Sequence, residues 1–559
     1  MERQTPTDAV SKGKFFYIIR NKAIFGLHQA NGLNVQYLYQ DGRMVTSARL
    51  VGNIQDKEML KLLEDAEGFR KLVCGIGVTA ELAPDSEVKV DKTLFCTQFY
   101  GKAEQSGDGT TITKEIPLTG AEEYIDLNTV EWTGNDRVLG QFRFEFAEPN
   151  VTATVSVKFY LNPGFDAPEV IPDRVVDVQS EKYWNMISKS VMNLGNLDRI
   201  KKAIDDARAG KEVCIAAIGG SITQGAGAIP INNKCYAYLV YEGFCKVAGV
   251  KPFTNVKYVK AGVGGTPSEL GMLRYDRDIL ADGANTPDIV VVEFAVNDAD
   301  DETRGECYES LVKKILKGKN NPAVILEFAV FADDFNLQER LSPVGYKLDL
   351  PMVSTKNAVL PEFNNPDKAT SLIQRNEYFY DQFHPTNVGH RIMADGIIEI
   401  FKAADKGIKK NAAIGDGFVD VFLVDKKDVP SDIIIHEGSF CDTDEMLQAV
   451  EMNYDVTQTK EFPYNYMHNF GAEEFRIELE CKKLLIIFKD GSGPQVGNAE
   501  VYADQKLVKT LDPRKVGWTH CHPVIIINDE ESKKHVVTVK MQQGDEDKQF
   551  TILGFGVVK

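Results

Sequence analysis

Apolar and polar positions alternate towards both ends of the chain. In 152–161 ("TATVSVKFYL") and again in 476–488 ("RIELECKKLLIIF"), apolar residues recur at about every second position, and turn residues separate such runs. A period of two places one face of a strand in the core and the other in solvent. The alternation predicts antiparallel β-sandwich regions over 1–180 and 411–559, whose strands are free to share a single sandwich.

The pattern between these ends is different, because unbroken apolar runs are separated by helix-like segments. A helix with one apolar face is predicted between Asn196 as N-cap and Gly210 as C-cap. Continuous apolar strands between helices are typical of a parallel sheet with both faces covered. The pattern predicts a three-layer, doubly wound α/β domain over 181–410, with a helical lead-in and parallel strands at 213–218, 256–261, 288–296 and 323–330.

Chemistry in a doubly wound sheet takes place at the carboxyl ends of its strands. The first of these ends carries a glycine-rich loop, "IGGSITQGAGA". Gly220 and Gly225 have the spacing of a phosphate-binding loop, but Ala226 and Gly227 follow where that loop needs a lysine and a hydroxyl. The next loop, "GVGGTP", has Pro267 in the third glycine position of a dinucleotide fingerprint. We therefore predict neither a nucleotide nor any other cofactor.

The same glycine-rich loop contains a serine that could act as a nucleophile. A serine nucleophile needs a base within hydrogen-bond reach, and the base needs an acceptor that orients it. The segment "YDQFHPTNVGHR" supplies Asp381 and His384, three residues apart in a loop that leads into a helix. We therefore expect Ser221, His384 and Asp381 to form a catalytic triad.

Four short blocks follow one another in the central domain: "IGGSITQG", "AGVGGTPS", "FAVND" and "DQFHP". Because each block lies at a predicted strand end, residues 211–403 resemble the SGNH (GDSL-type) hydrolases, which have a flavodoxin-like parallel sheet. The resemblance implies that Ser221 is the nucleophile, His384 its base and Asp381 the partner of that base.

The resemblance also implies an oxyanion hole made by the backbone N–H groups of Ser221 and Gly265 and by the side-chain amide of Asn297. Fixed donors at such a place stabilise the negative charge of a tetrahedral intermediate. One feature departs from the family pattern. Gly220 stands where the family usually has aspartate, which leaves open how rigidly the serine loop is held. Gly264 beside Gly265 leaves the register of the second block open by one residue.

Charge limits the classes of partner. Lys and Arg total 64 against 82 Asp and Glu, which gives a net charge of −18. Such a surface repels phosphate backbones and anionic lipid, so we predict no nucleic-acid and no membrane partner. The substrate is then expected to be an acylated oligosaccharide or another small ester, and the sequence leaves a homo-oligomer open.

Targeting and cysteine patterns bear on the compartment. The start, "MERQTPTDAVSKGKFF", has no apolar h-region, and the nine cysteines are an odd number without CxxC spacing. These features favour a cytoplasmic protein with reduced, mostly buried thiols. Removal of a signal peptide from a secreted protein would leave the same pattern.

Several residues outside the blocks have competing interpretations. His390 is expected to cap or pack. His520 and His522 flank a cysteine in "WTHCHP", but no partner cluster is visible, so we predict no metal site, with zinc as the alternative. Glu293 interrupts an apolar strand and must be paired or lie near the site. Core packing is the default for three aromatic residues that could instead stack on sugars, Trp518, Tyr464 and Tyr466.

The function that these observations favour is a serine esterase that removes a small acyl group, acetyl above all, from a carbohydrate. The carbohydrate half of this hypothesis comes from the resemblance, because SGNH domains between β-sandwich regions are similar to acetylxylan-type esterases. One alternative is a non-catalytic carbohydrate-binding protein that keeps the SGNH scaffold. The other is a lipid or thioester acylhydrolase.

Overall fold

The structure, a computed structural model, describes residues 14–39, 43–101, 108–168, 174–367, 369–404, 406, 417–451 and 458–559. Three groups of elements follow one another along the chain: an N-terminal pair of sheets, a central parallel sheet with helices, and a C-terminal sheet. Within the described ranges, no helix is long and apolar enough to cross a membrane.

Two antiparallel sheets make up the N-terminal region, and their buried side chains belong to one hydrophobic cluster. One sheet has the order β1–β9–β4–β7, from Phe15–Phe25 (β1), Val73–Leu82 (β4), Thr119–Asp126 (β7) and Thr152–Leu161 (β9). The other has the order β2–β3–β8–β5–β6, from Leu27–His28 (β2), Asn34–Tyr39 (β3), Lys92–Gly101 (β5), Thr111–Pro117 (β6) and Asp136–Phe146 (β8). Short helices are Met44–Leu50, Lys57–Leu62 and Ala66–Leu72.

The central sheet has six strands in the order β10–β15–β14–β13–β11–β12. Its strands are Val191–Asn193 (β10), Val213–Gly219 (β11), Val256–Gly262 (β12), Ile289–Glu293 (β13), Ala323–Phe328 (β14) and Met352–Ser354 (β15). All neighbouring pairs are parallel except β10 with β15. The order changes direction at β11, between β13 and β12, and the glycine-rich loop leaves the carboxyl end of this strand. A parallel sheet opens its binding crevice at such a switch point.

Two hydrophobic clusters fill the two faces of the central sheet, because alternate side chains of each strand point to opposite sides. One cluster includes side chains of the helices Ser268–Asp278, Glu306–Leu316 and Gln338–Leu348. The other includes side chains of Asp198–Arg208, Tyr236–Ala248 and Asn387–Ala404. The remaining helices of the described central region are Glu181–Ser188, Ser221–Gln224, Ile231–Lys234, Thr355–Phe363 and Arg375–Tyr378, with a 3₁₀ turn at Ala281–Gly283.

An eight-stranded antiparallel sheet forms the C-terminal region, with β16–β25–β21–β24–β22–β23 in order, β17 beside β21 and β20 beside β25. These strands are Phe422–Val424 (β16), Ile434–His436 (β17), Tyr466–His468 (β20), Phe475–Asp490 (β21), Ala499–Ala503 (β22), Lys506–Leu511 (β23), His520–Met541 (β24) and Phe550–Val558 (β25). A separate hairpin pairs Ala449–Glu451 (β18) with Gln458–Lys460 (β19).

The structure agrees with most of the predicted elements and corrects three details. The apolar run 288–296 ends as a strand at Glu293, because the chain turns there. The predicted lead-in helix begins at Asp198, so Asn196 is not its N-cap, although the Asn196 side chain still accepts the Asp198 N–H at 2.8 Å. The N- and C-terminal strands lie in separate sheets, and their buried side chains belong to different hydrophobic clusters, so the two ends do not share one sandwich. The domain boundary at 410 falls outside the described residues and stays a prediction.

The C-terminal sheet and the central domain share one hydrophobic cluster. It joins Leu273 and Phe294 of the central domain to Leu485, Ile487 and Leu553 of the C-terminal sheet, all of them buried. The N-terminal cluster likewise includes three residues of the central domain, Ile229, Ile231 and Tyr380. Neither β region is therefore an independent appendage.

A buried carboxyl group supports the turn that follows β11. Glu293 lies at the end of the neighbouring strand β13, fully buried, and the nearby backbone N–H groups of Gly220 and Thr223 favour its ionised form. The Thr223 hydroxyl also donates to Glu293, at 3.2 Å. Burial raises the pKa of Glu293 to about 8, although these donors oppose the shift.

Truncating the shared core should destabilise the protein. Leu485→Ala removes a fully buried side chain at the junction of the two regions, and we expect the free energy of unfolding to fall by about 2–5 kcal/mol. Leu507→Ala, at a position that is 46% exposed on the same sheet, should cost less than about 0.5 kcal/mol. Urea unfolding of both variants measures the difference. Equal costs would contradict the shared core.

The buried carboxyl of Glu293 should make stability depend on pH. Because its folded-state pKa is raised, the folded protein binds the proton more tightly than the unfolded chain does, and stability falls as pH rises from about 4.5 towards 8. Glu293→Gln cannot ionise, so its stability relative to wild type should increase by at least about 1 kcal/mol across this range. Melting temperatures of both proteins between pH 5 and 8.5 test this. Parallel profiles would show that Glu293 is ionised throughout.

Candidate active site

Ser221 is the first residue of a one-turn helix, Ser221–Gln224, that starts directly after β11. The all-buried strand ends at Gly219, and the helix ends at Gly225, which has a φ of 110° that favours glycine. The serine therefore lies at the carboxyl end of a central parallel strand, as the sequence predicted.

The structure brings the three predicted triad residues together. His384 Nε2 lies 2.9 Å from Ser221 Oγ, and His384 Nδ1 lies 2.7 Å from Asp381 Oδ2. A carboxylate accepts from Nδ1–H, which leaves the Nε2 lone pair free to accept from the serine hydroxyl. This is the geometry in which a histidine can take the proton of a serine.

Asp381 also shapes the loop that carries the histidine. Its Oδ1 accepts the backbone N–H groups of Phe383 at 2.7 Å and His384 at 2.8 Å. Burial opposes ionisation of Asp381, but the adjacent His384 and these backbone donors together hold the pKa of Asp381 below its usual value. The carboxylate is therefore ionised at neutral pH, as an orienting partner must be.

The helix after this loop fastens it to the serine loop. The Asn387 side chain accepts the Ile229 N–H and donates to the Ile229 carbonyl, each at 2.7 Å. The buried His390 donates through Nε2 to the Ala226 carbonyl at 3.0 Å, and its Nδ1 accepts the Tyr236 N–H at 3.2 Å. Burial lowers the pKa of His390 to about 3, so this histidine stays neutral and packs, as expected.

Asn297 lies beside the serine turn, in the bend that follows β13. Its side-chain amide packs against the Cα of Gly220, where an added Cβ would overlap it. The Asn297 Oδ1 atom is buried and has no hydrogen-bond partner among the described residues. A side chain at position 220 would therefore overlap the Asn297 amide, and the Glu293 carboxyl group contacts the turn through Thr223.

Gly265 faces the same region from the loop after β12. Its φ of 71° lies in the left-handed region, and an added Cβ would meet the Trp518 ring at 2.8 Å. Its neighbour Gly264 also faces the nucleophile, since a Cβ there would be 3.8 Å from the Cβ of Ser221. Both glycine carbonyls accept hydrogen bonds from the C-terminal region, Gly264 from Gln448 and Gly265 from His520, each at 2.9 Å.

A histidine pair and an aspartate stand behind Gly265. The Nδ1 atoms of His520 and His522 lie 2.8 and 2.9 Å from Asp490 Oδ2, and these donor atoms are close enough to hold a metal ion. The sequence analysis singled out the two histidines but missed Asp490, which lies on the neighbouring strand β21. Only the register of β21 with β24 reveals the contact, and no spacing in the sequence signals it.

The three aromatic residues that could stack on sugars differ in exposure and in surroundings. Trp518 is 42% exposed and lies over Gly265, whereas Tyr466 is buried in the C-terminal core. Tyr464 is exposed, with Lys427 over its ring. A cavity of about 260 Å³ opens between Trp518, Gly265 and Asn297. Of the three, Trp518 is the one positioned beside the candidate oxyanion hole.

One protein family matches the central part of the chain. Residues 217–392 match the GDSL-like lipase/acylhydrolase family. No curated protein matches the sequence.

Two solved structures illustrate what the chain is similar to. A two-domain esterase (CEX) active on acetylated mannans is 25% identical, with a TM-score of 0.56, and the match covers 67% of this chain and 99% of that one. A catalytic mutant of Axe2, an acetylxylan esterase from Geobacillus stearothermophilus, is 19% identical over 34% of this chain and 95% of its own, with a TM-score of 0.26. The family match shows that the chain contains a GDSL-like lipase/acylhydrolase domain over residues 217–392.

Proposed function

We propose that this protein is a serine esterase that removes acetyl groups from a carbohydrate. The observation that carries the proposal is the chain of hydrogen bonds from Asp381 through His384 to Ser221, at 2.7 and 2.9 Å. A carbohydrate-binding protein without catalytic activity would not need these three side chains to be hydrogen-bonded to one another.

The reaction follows from this geometry. His384 Nε2 accepts the Ser221 hydroxyl proton as Oγ attacks the acyl carbon, and Asp381 stabilises the imidazolium that forms. The N–H groups of Ser221 and Gly265 and the Asn297 amide would stabilise the charge on the carbonyl oxygen. His384 then gives its proton to the departing sugar oxygen, which leaves an acyl-serine. Water, deprotonated by the same histidine, releases the acid and restores Ser221.

Support for a carbohydrate comes from the surroundings of the nucleophile. Trp518 presents an exposed ring beside Gly265 and Asn297, next to the 260 Å³ cavity. Aromatic faces of this kind offer a large apolar contact to sugar rings with a small loss of conformational entropy. The similar two-domain esterase is active on acetylated mannans, so an acetylated mannan is the first substrate to test.

Substitution of the triad should remove activity on any ester. We expect Ser221→Ala and His384→Ala each to lower kcat by up to about 10⁶, and the double variant to be scarcely worse, because the two residues act as one unit. Asp381→Asn should cost about 10²–10⁴, because it spoils the orientation of the histidine but leaves the base in place. Initial rates with p-nitrophenyl acetate measure these effects.

The control is the folded state of each variant, checked by its melting temperature. A folded His384→Ala protein with wild-type activity would contradict the triad. A rise in rate from acetate to octanoate esters would favour a lipid acylhydrolase over a deacetylase.

The exposed tryptophan should matter for oligosaccharides alone. Trp518→Ala removes the ring beside the oxyanion hole, and we expect KM for an acetylated manno-oligosaccharide to rise about 3- to 10-fold. KM for p-nitrophenyl acetate should stay within about twofold. Phe470→Ala, at another exposed aromatic of the C-terminal region, is the matched control and should change neither. Equal losses on both substrates would mean that Trp518 supports the loop rather than the sugar.

A further inference from the structure

The carbonyl groups of Gly264 and Gly265 are both held by side chains of the C-terminal region. Gln448 Nε2 donates to the Gly264 carbonyl at 2.9 Å, and His520 Nε2 donates to the Gly265 carbonyl at 2.9 Å. These two peptides belong to the loop that carries the candidate oxyanion donor. The orientation of these peptides therefore depends on residues that lie 184 and 255 positions away in the chain.

The first of these hydrogen bonds acts on the peptide that matters most. The carbonyl of Gly264 and the N–H of Gly265 belong to the same planar peptide group, and they point in opposite directions. Holding the carbonyl on one side fixes the N–H on the other. The flexible glycine pair would otherwise leave this peptide free to rotate.

Gln448 is itself held so that its amide N–H₂ faces the glycine. Its Oε1 accepts the backbone N–H of Cys521 at 3.0 Å, and only an oxygen can accept there. Its backbone carbonyl accepts the Glu461 N–H at 2.7 Å, and Leu447 before it is buried in the shared core. The side chain is half-buried, with both ends of its amide engaged.

His520 is oriented in the same manner. Its Nδ1 lies 2.8 Å from Asp490 Oδ2 and its Nε2 lies 2.9 Å from the Gly265 carbonyl oxygen. Because a carboxylate and a carbonyl both accept, each ring nitrogen donates a hydrogen in this arrangement. Asp490 and His520 are both buried, and the ring lies 4.8 Å from that of Trp518. An aspartate thus orients this histidine just as Asp381 orients His384, but towards a backbone carbonyl.

We infer that Gln448 and His520 are positioning residues that build the oxyanion hole from the C-terminal β region. This inference rests on the proposed esterase function. It implies that the C-terminal region contributes to the chemical step itself, for small esters as much as for oligosaccharides. A region that only binds glycan would affect KM for the glycan alone.

The test compares matched variants of the full-length protein on p-nitrophenyl acetate. Gln448→Glu keeps the shape of the side chain but turns an acceptor towards the Gly264 carbonyl, and His520→Phe keeps the ring but cannot donate. We expect each to lower kcat about 10- to 100-fold, with KM within about twofold, because the oxyanion donor is misplaced rather than removed. Affinity for a phenyl trifluoromethyl ketone, which forms a tetrahedral adduct on the serine, should fall by the same factor.

The same two substitutions at exposed positions of the C-terminal region serve as controls. Gln495→Glu and His436→Phe repeat the changes of residue type where the side chains are exposed to solvent. Both should keep wild-type kcat and inhibitor affinity.

The outcomes separate this inference from the function on which it rests. If wild-type protein hydrolysed no ester, the proposed function would fail, and this inference with it. If wild type were active but folded Gln448→Glu and His520→Phe kept kcat and inhibitor affinity, only the inference would be overturned. Losses as large in the Gln495 and His436 controls would also overturn it, since they would mark general destabilisation.

Discussion

The hydrogen bond between His384 and Ser221 joins segments that are 163 residues apart, and the arrangement of the central domain serves to keep it in place. The serine is fixed by the end of β11, and the histidine by the start of the last helix. Asn387 and His390 of that helix bind the serine loop directly. A shift of about 1 Å between the two loops would break the proton path, so the two loops must be fixed to each other as well as to the sheet.

The flanking β regions complete this constraint from outside the parallel sheet. The N-terminal cluster takes in Ile229 and Tyr380, which flank the serine and histidine loops. The C-terminal sheet shares a core with the central domain and reaches the glycine loop through Gln448 and His520. The three regions therefore act together. The central domain carries the nucleophile and the base, and the two β regions hold the loops that surround them.

Much of this arrangement could be predicted from the sequence, because it follows local patterns. Unbroken apolar runs located the parallel strands, and the rule that loops at their carboxyl ends converge brought Ser221, Asn297 and His384 into one candidate site. The resemblance to SGNH hydrolases assigned their roles. The reason for Gly220 was not predictable, since it depends on how closely the Asn297 amide approaches its Cα.

Contacts between distant strands were also beyond the reach of the sequence. Asp490 meets His520 only through the register of a long antiparallel pair, and Gln448 is one polar residue among many in a loop. The position of Glu293 beside Gly220 and Thr223 likewise follows from the pairing of β11 with β13, which the sequence does not reveal. Such contacts carry no local signature, because they are fixed by tertiary packing alone.

The most direct test of the central claim is to trap the covalent intermediate. The protein is mixed with p-nitrophenyl acetate, quenched in acid within the first turnover and measured by intact and peptide mass spectrometry. The account predicts the added mass of one acetyl group on the peptide that contains Ser221, and no such adduct in Ser221→Ala. An acetyl group on another residue, or equal labelling of folded Ser221→Ala, would contradict it.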